Sequence, residues 1–393
     1  MKPARHILPV IVFAQFCCTS LWFAGNAVMP DLVREFGLSP NDVGHLTSAV
    51  QFGFISGTLA FAILTVADRF SPSRVFLFSA LAGALCNLGM LPGEQGMASL
   101  LAFRFATGFF LAGIYPVGMK IAADYFDKKL GRSLGFLVGA LVLGTAFPHL
   151  VRGLGADLPW RYALVATSAL AALGGVLLWA TVADGPYRRP GSGPDFSGFF
   201  RIFSDRNFRA AAFGYFGHMW ELYAFWAFVP LLLAAYLEKH PGIAASVPSL
   251  SFAVIGIGGL GCVVSGQVSR QLGTRATAAT ALFLSGVCCL ALPLAAAASW
   301  PVFLGFLLFW GFMVVADSPL FSTLVAQRAH PALKGTALTI VNCIGFSITI
   351  ISIQLLTALQ GREGGFGIFA ILAAGPLLGL IGLWSERQKT TKP

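Results

Sequence analysis

Ala67-Asp68-Arg69-Phe70-Ser71-Pro72-Ser73-Arg74-Val75 is a short charged turn set between two apolar runs, residues 43–67 before it and 75–91 after it. A bilayer core takes about 20 consecutive apolar residues per helix, and each flanking run is close to that length. Three charges, two serines and a proline cannot continue inside hydrocarbon. The stretch therefore reads as the water-side turn of a helical membrane hairpin.

The same pattern repeats outward from this turn. Apolar runs occupy residues 6–30, 43–67, 75–91, 99–122, 133–151 and 161–183, then 209–237, 248–269, 276–297, 301–326, 336–358 and 366–384. The expected fold is an all-α membrane protein of about 12 transmembrane helices. With 56% apolar residues, 11% charged ones and a mean hydropathy of +0.78, the chain lies outside the range of water-soluble domains. The net charge of +10 does not point to nucleic acid, because such binders carry a basic face on a solvated body and these runs leave no chain for one. Lys and Arg lie instead between the runs on alternate sides, about 19 on one side and about 5 on the other. That asymmetry predicts a multi-pass inner-membrane protein with both termini in the cytoplasm. The stretch after His6 is about 20 residues, too long for the core of a signal peptide. All seven cysteines fall inside apolar runs with no disulfide framework and no metal-ligand spacing, so no metal and no cofactor is expected.

Residues 184–208 interrupt the pattern. Pro186, Pro190 and Pro194 alternate with Gly185, Gly191 and Gly193, as in a linker. Phe196, Phe199, Phe200 and Phe203 recur at helical spacing beside Arg201 and Arg206, as in a short interfacial helix. The linker divides residues 1–183 from 209–393, six spans each. Positions match across the divide: Trp22 to Pro30 aligns with Leu222 to Pro230, Tyr115-Pro116 with Ser318-Pro319, and the Asp68 turn with Arg270, Gly273 and Arg275. A shared offset implies two pseudo-symmetric six-helix bundles.

The Asp68 turn resembles the signature of the major facilitator superfamily: glycine, three residues, Asp-Arg, then glycine and a basic residue. Leu64 and Ser71 stand where the glycines are usual, and the counterpart at Gly266 to Arg275 keeps both glycines but has Arg270 for the acid. Span 4 carries Arg104-Phe105-Ala106-Thr107-Gly108, similar to the superfamily's basic motif in that helix. Spans 4, 10 and 11 are also loosely similar to nitrate and nitrite porters. Nitrate is not carried over, since spans 2 and 8 lack the anion-clasping arginines and spans 5 and 11 lack the glycine-rich signature. The resemblance covers the whole chain and implies alternating access between two bundles. It also implies a cytoplasmic latch of Asp68, Arg69, Arg74, Asp124, Arg132, Arg270 and Arg275, in which Arg74 and Arg132 bond to Asp124 when that side closes. Lys120 is expected to pair with Asp124 one turn on.

Charge inside the bilayer points to function unless it faces a partner or water. Arg104, a few residues into span 4, is expected to hold substrate or to couple to a proton site, with snorkelling to the interface as the alternative. Glu221 lies near the middle of span 7 with His218 on the same face, and a carboxyl buried in hydrocarbon is held neutral until a partner or water stabilises its charge. Glu221 is the first expectation for a proton carrier, with His218 one turn away; a structural hydrogen bond to His218 and direct substrate contact are the competing readings, and Asp317 beside Pro319 in span 10 is the second candidate for proton or substrate. Trp22, Asn26, Tyr115, Tyr223 and Trp226 offer aromatic faces and polar tips to line a cavity. The sequence has no phosphate-binding loop and no nucleophile-base pair in register, which argues against ATP drive and against an enzyme. The expectation is a monomeric secondary transporter of a small polar organic solute, an organic acid or zwitterion, coupled to protons by symport. A proton-coupled exporter of drugs or metabolites is the alternative. A membrane-embedded enzyme or sensor comes third.

Overall fold

Backbone N–H and C=O groups find no water inside a bilayer, so a spanning chain must satisfy them within helices. The computed structural model describes residues 6–39, 42–93, 95–126, 130–155, 157–188, 202–330, 333–362 and 365–385, and among these there is no strand. Ten helical stretches among the described residues are long and apolar enough to cross a membrane, and two shorter apolar helices, Ile7–Thr19 and Pro72–Leu88, fall where spans 1 and 3 are expected. The order matches the sequence reading span for span. The linker residues Phe196, Phe199, Phe200 and Arg201 lie outside the described residues.

Several spans are broken, and the breaks have local causes. Span 4 stops at Leu111 and restarts as Tyr115–Tyr125, and span 10 stops at Ala316 and restarts as Ser318–Arg328. Both restarts carry proline in the first turn, Pro116 and Pro319, where its missing N–H costs no helical bond. The repeat read from Tyr115-Pro116 and Ser318-Pro319 is thus a repeated break. Span 1 is divided into Ile7–Thr19, Ala24–Ala27 and Met29–Phe36, the last again opened by a proline, Pro30.

Two faces of the molecule can be named by their charges, an Asp68 face and an Asp31 face. On the Asp31 face, Arg152 of span 5 pairs with Asp31 at 3.1 Å and tethers the last piece of span 1. Within the N-terminal bundle, spans 2 and 4 meet backbone to backbone. A Cβ on Gly53 would lie 1.9 Å from the Phe105 carbonyl oxygen, and one on Gly108 would lie 2.0 Å from that of Val50. Only glycine permits this approach.

The two bundles are hydrogen-bonded to each other in the Asp31-face half, and span 5 also packs against spans 8 and 10 towards the Asp68 face. Gln354 Nε2 of span 11 donates to Ser48 Oγ of span 2 at 2.8 Å. One turn nearer the Asp31 face Gly44 lies against Thr357, whose Oγ1 would be 2.2 Å from an added Cβ. Spans 5 and 8 make a second seam, with Gly153 against Ser249.

Candidate functional site

The break in span 1 decides the shape of the centre. Between Thr19 and Ala24 the helix is interrupted, so carbonyls there lose their intrahelical partners at membrane depth. Arg104 of span 4 supplies the missing donors. Its Nη2 donates to Trp22 O at 2.8 Å and to Asn26 Oδ1 at 3.1 Å, with Nη1 reaching Leu21 O and Nε reaching Leu46 O at 3.5 Å each. Asn26 Nδ2 continues the network to Thr47 Oγ1 of span 2 at 2.7 Å. Gly25 leaves room for the guanidinium stem, which passes 3.2 Å from where its Cβ would be. Arg104 is 1% exposed and snorkels nowhere. This residue, expected to hold substrate, lies in a network with span 1 and with Leu46 of span 2.

The clasped break holds Trp22 against the C-terminal bundle. Its ring stacks on Phe346 of span 11 at 5.6 Å and meets Tyr223 of span 7 at 5.7 Å, while its Nε1 donates to Gln51 Oε1 at 3.3 Å. Tyr223 in turn meets Phe346 and Trp226 at 5.2 Å. These rings form a floor across the middle of the molecule. On its Asp68 side lies a cavity of about 140 Å³ between the bundles, lined from spans 4, 5, 7, 10 and 11.

Tyr115, Tyr223 and Trp226, three of the residues expected to bind substrate, line this cavity; Trp22 belongs to the floor without lining the cavity, and Asn26 and Arg104 lie behind it. Tyr215, Asn342, Phe346, Ser318 and Ser322 also line it and were not singled out from sequence. A signal for Tyr215 was present. Tyr215, Met219, Leu222 and Trp226 recur at spacings of four, three and four residues, one face of a helix. Tyr215 O–H donates to Asn342 Oδ1 at 2.7 Å, which leaves the Asn342 amide hydrogens for the cavity.

The buried acids pair differently from the sequence reading. His218 and Glu221 share a face of span 7 but not a bond. His218 Nδ1 lies 2.8 Å from Asp317 Oδ1, at the break of span 10. The break gives Asp317 the N-terminus of Ser318–Arg328, whose exposed N–H groups favour an anion. Asp317 Oδ2 and His218 Nε2 have no hydrogen-bond partner, and both residues are buried. Glu221 turns toward spans 9 and 10, where Trp310 Nε1 donates to Oε1 at 2.6 Å and Ser285 Oγ to Oε2 at 2.9 Å, with Cys289 Sγ at 3.4 Å from Oε1. Glu221 is saturated with partners. The Asp317 pair is not.

At the Asp68 face the expected latch residues are spread out. Asp68 pairs with Lys120 of span 4 at 2.8 Å, so Lys120 reaches across to the turn rather than along its own helix to Asp124. Arg188 donates to the carbonyls of Asp68 and Phe70 at 3.1 and 2.8 Å and pairs with Asp184. Asp124 is buried with Oδ2 unbonded, while its carbonyl accepts from Tyr187 N–H at 3.0 Å. Arg69, Arg74 and Arg270 are exposed, Arg275 donates to Leu383 O at 2.7 Å, and the Arg132 side chain lies outside the described residues. All the described contacts of Asp68 and Asp124 stay within residues 6–188.

Comparison with known proteins bears on this geometry. The uncharacterized transporter YgaY of Escherichia coli O157:H7 is 28% identical over 188 residues, 45% of this chain and 46% of that protein. The niacin transporter NiaP of Acinetobacter baylyi is 33% identical over 138 residues, 31% of this chain and 29% of that one. The chain thus matches less than half the length of these relatives. Among solved structures, a bacterial homolog of the human lysosomal transporter Spinster, in an inward-facing and unoccupied conformation, superposes with a TM-score of 0.70 at 16% identity, over 98% of this chain and 95% of that one. The sequence pattern of the Major Facilitator Superfamily matches residues 11–353. Two helical bundles around a central cavity, with that match running from span 1 into span 11, make this chain a member of the Major Facilitator Superfamily.

Proposed function

We propose that this chain is a secondary active transporter that moves a small organic solute across the inner membrane by alternating access, coupled to a proton held at His218 and Asp317. The Asp68 face and both termini lie in the cytoplasm in this reading, as the Lys and Arg distribution favours. The carrying observation is the arrangement of the cavity: it lies in the Asp68-face half, and the bundles are joined across the opposite half at Ser48 and Gln354. A cavity to one side of the contact between the bundles is what supports reading this as one conformation of an alternating-access cycle. The proton assignment rests on partners. Glu221 has three side-chain donors and gains little by changing protonation, whereas Asp317 and His218 have only each other in a dry site, so one proton changes their balance of charge.

The test begins with a thermal-shift screen of small organic metabolites on the purified chain, since a ligand of the folded state raises its stability. The solute found is then assayed in vesicles under an imposed pH gradient. Gradient-driven accumulation is expected in the parent and lost in Asp317→Asn, which still exchanges solute across the membrane because exchange moves no net proton. Glu221→Gln keeps coupling. If Asp317→Asn accumulates solute normally and Glu221→Gln does not, the proton belongs to Glu221. If no gradient drives accumulation in the parent, proton coupling is wrong.

A further inference from the structure

Arg104 is bonded to span 1 and to Leu46 of span 2 and does not line the cavity. What remains in the cavity is different chemistry. Among the described residues that line it, none is charged. Its floor is aromatic, with Tyr223 in ring contact with both Trp226 and Phe346. Its polar groups are neutral, and several are donors without a protein partner. Trp226 is fully buried and its Nε1–H has no acceptor. The Asn342 amide is held by Tyr215 through its oxygen, so its N–H groups face outward from that bond. The volume of about 140 Å³ is below the range of about 300–1,000 Å³ typical of drug-sized ligand sites.

We infer that the cavity takes a small, uncharged, planar aromatic solute that presents a hydrogen-bond acceptor, a carbonyl or a ring nitrogen, to Trp226 and Asn342. Aromatic faces bind a flat ring by offset or edge-on stacking. A buried donor left without an acceptor costs free energy, so a solute that supplies one is selected over an analogue that does not. A carboxylate brought onto an uncharged aromatic floor loses its hydration with no opposite charge to replace it. An ammonium group fails for the same reason at the Asn342 edge, where the unbonded groups are donors. The inference rests on the reading of this cavity as the transport site.

The experiment uses matched pairs of neutral amide and carboxylate: benzamide with benzoate, nicotinamide with nicotinate, and indole-3-acetamide with indole-3-acetate. Binding to the full chain in detergent is followed by thermal shift and by quenching of tryptophan emission at neutral pH. At least one amide is expected to bind, with its carboxylate partner at least about tenfold weaker. Trp226→Phe and Asn342→Ala should each weaken the amide by about threefold to tenfold, the size of one lost neutral hydrogen bond, with melting temperature otherwise unchanged. Binding of carboxylates as tight as that of their amides overturns the inference, as does binding of no pair, or amide binding that neither substitution alters. Vesicle uptake separates the two readings. An amide bound through Trp226 but never transported leaves the ligand class standing and removes the transport site, while carboxylates transported with dependence on Trp226 do the reverse.

Discussion

Arg104 shows how far one residue can be read before its surroundings are known. Its position inside a span made it costly, and the sequence required a partner for it. Which partner was not legible, because the interruption of span 1 after Thr19 carries no proline at that point and looks like continuous apolar helix. The broken strand of carbonyls at Leu21 and Trp22 exists only once spans 1 and 4 are packed together. The same limit applies to His218. Spacing placed it beside Glu221, but a bond depends on which neighbouring span offers an acceptor, and span 10 offers Asp317. Removing the guanidinium strands these carbonyls, so Arg104→Ala should destabilise the chain by roughly 3 kcal/mol or more. Arg104→Lys should recover only part of this, since one ammonium cannot span four acceptors. Thermal unfolding in detergent measures both. An Arg104→Ala variant as stable as the parent would show that the clasp is not what holds span 1.

Among the elements, the spans and the repeat were legible and the seams were not. Hydropathy locates a span because every residue in it faces hydrocarbon or protein, and the prolines at 116 and 319, matched as a repeat, turn out to sit where spans 4 and 10 restart after their breaks. Contacts between bundles depend on how the spans pack and not on hydropathy, and the glycines that make them look like any other packing glycines. Gly44 and Gly266 separate the cases. Gly44 is pressed against Thr357 on the Asp31 face, whereas Gly266 has nothing within 4 Å and borders a crevice of about 420 Å³ between spans 5, 8 and 10. A bulky side chain at Gly44 wedges spans 2 and 11 apart. One at Gly266 enters space that must close when the other side opens. In a background without native cysteines, Gly44→Trp should raise the thiol reactivity of Gln354→Cys several-fold and lower that of Ser322→Cys in the cavity. Gly266→Trp should leave the first low and the second high. Equal reactivity in the two variants would mean that these seams do not alternate.

For the whole molecule, the motif at Asp68 pointed to the family that the match over residues 11–353 bears out, the charge pattern supplied an expectation of orientation, and the ion pairs actually formed were not legible. In this conformation Asp68 is held by Lys120 within its own bundle, and the exposed Arg74 and Arg270 are available for the closed state. Asp68→Asn should therefore slow transport severalfold without weakening ligand binding, as measured by uptake rate beside thermal shift; loss of binding in a folded variant would place Asp68 in the site rather than at the latch. The clasp between Arg104 and the break of span 1 also has a history in time. Trp22 leaves the ribosome 82 residues ahead of its donor, which is about 4 to 16 seconds at roughly 5–20 residues per second of synthesis. Through that interval the carbonyls of span 1 have no outside donor and lipid offers none, so the span satisfies them itself as a continuous helix. The break is consequently a late event in the life of the chain: span 1 enters the bilayer whole and opens at Thr19 only when span 4 brings Arg104 alongside.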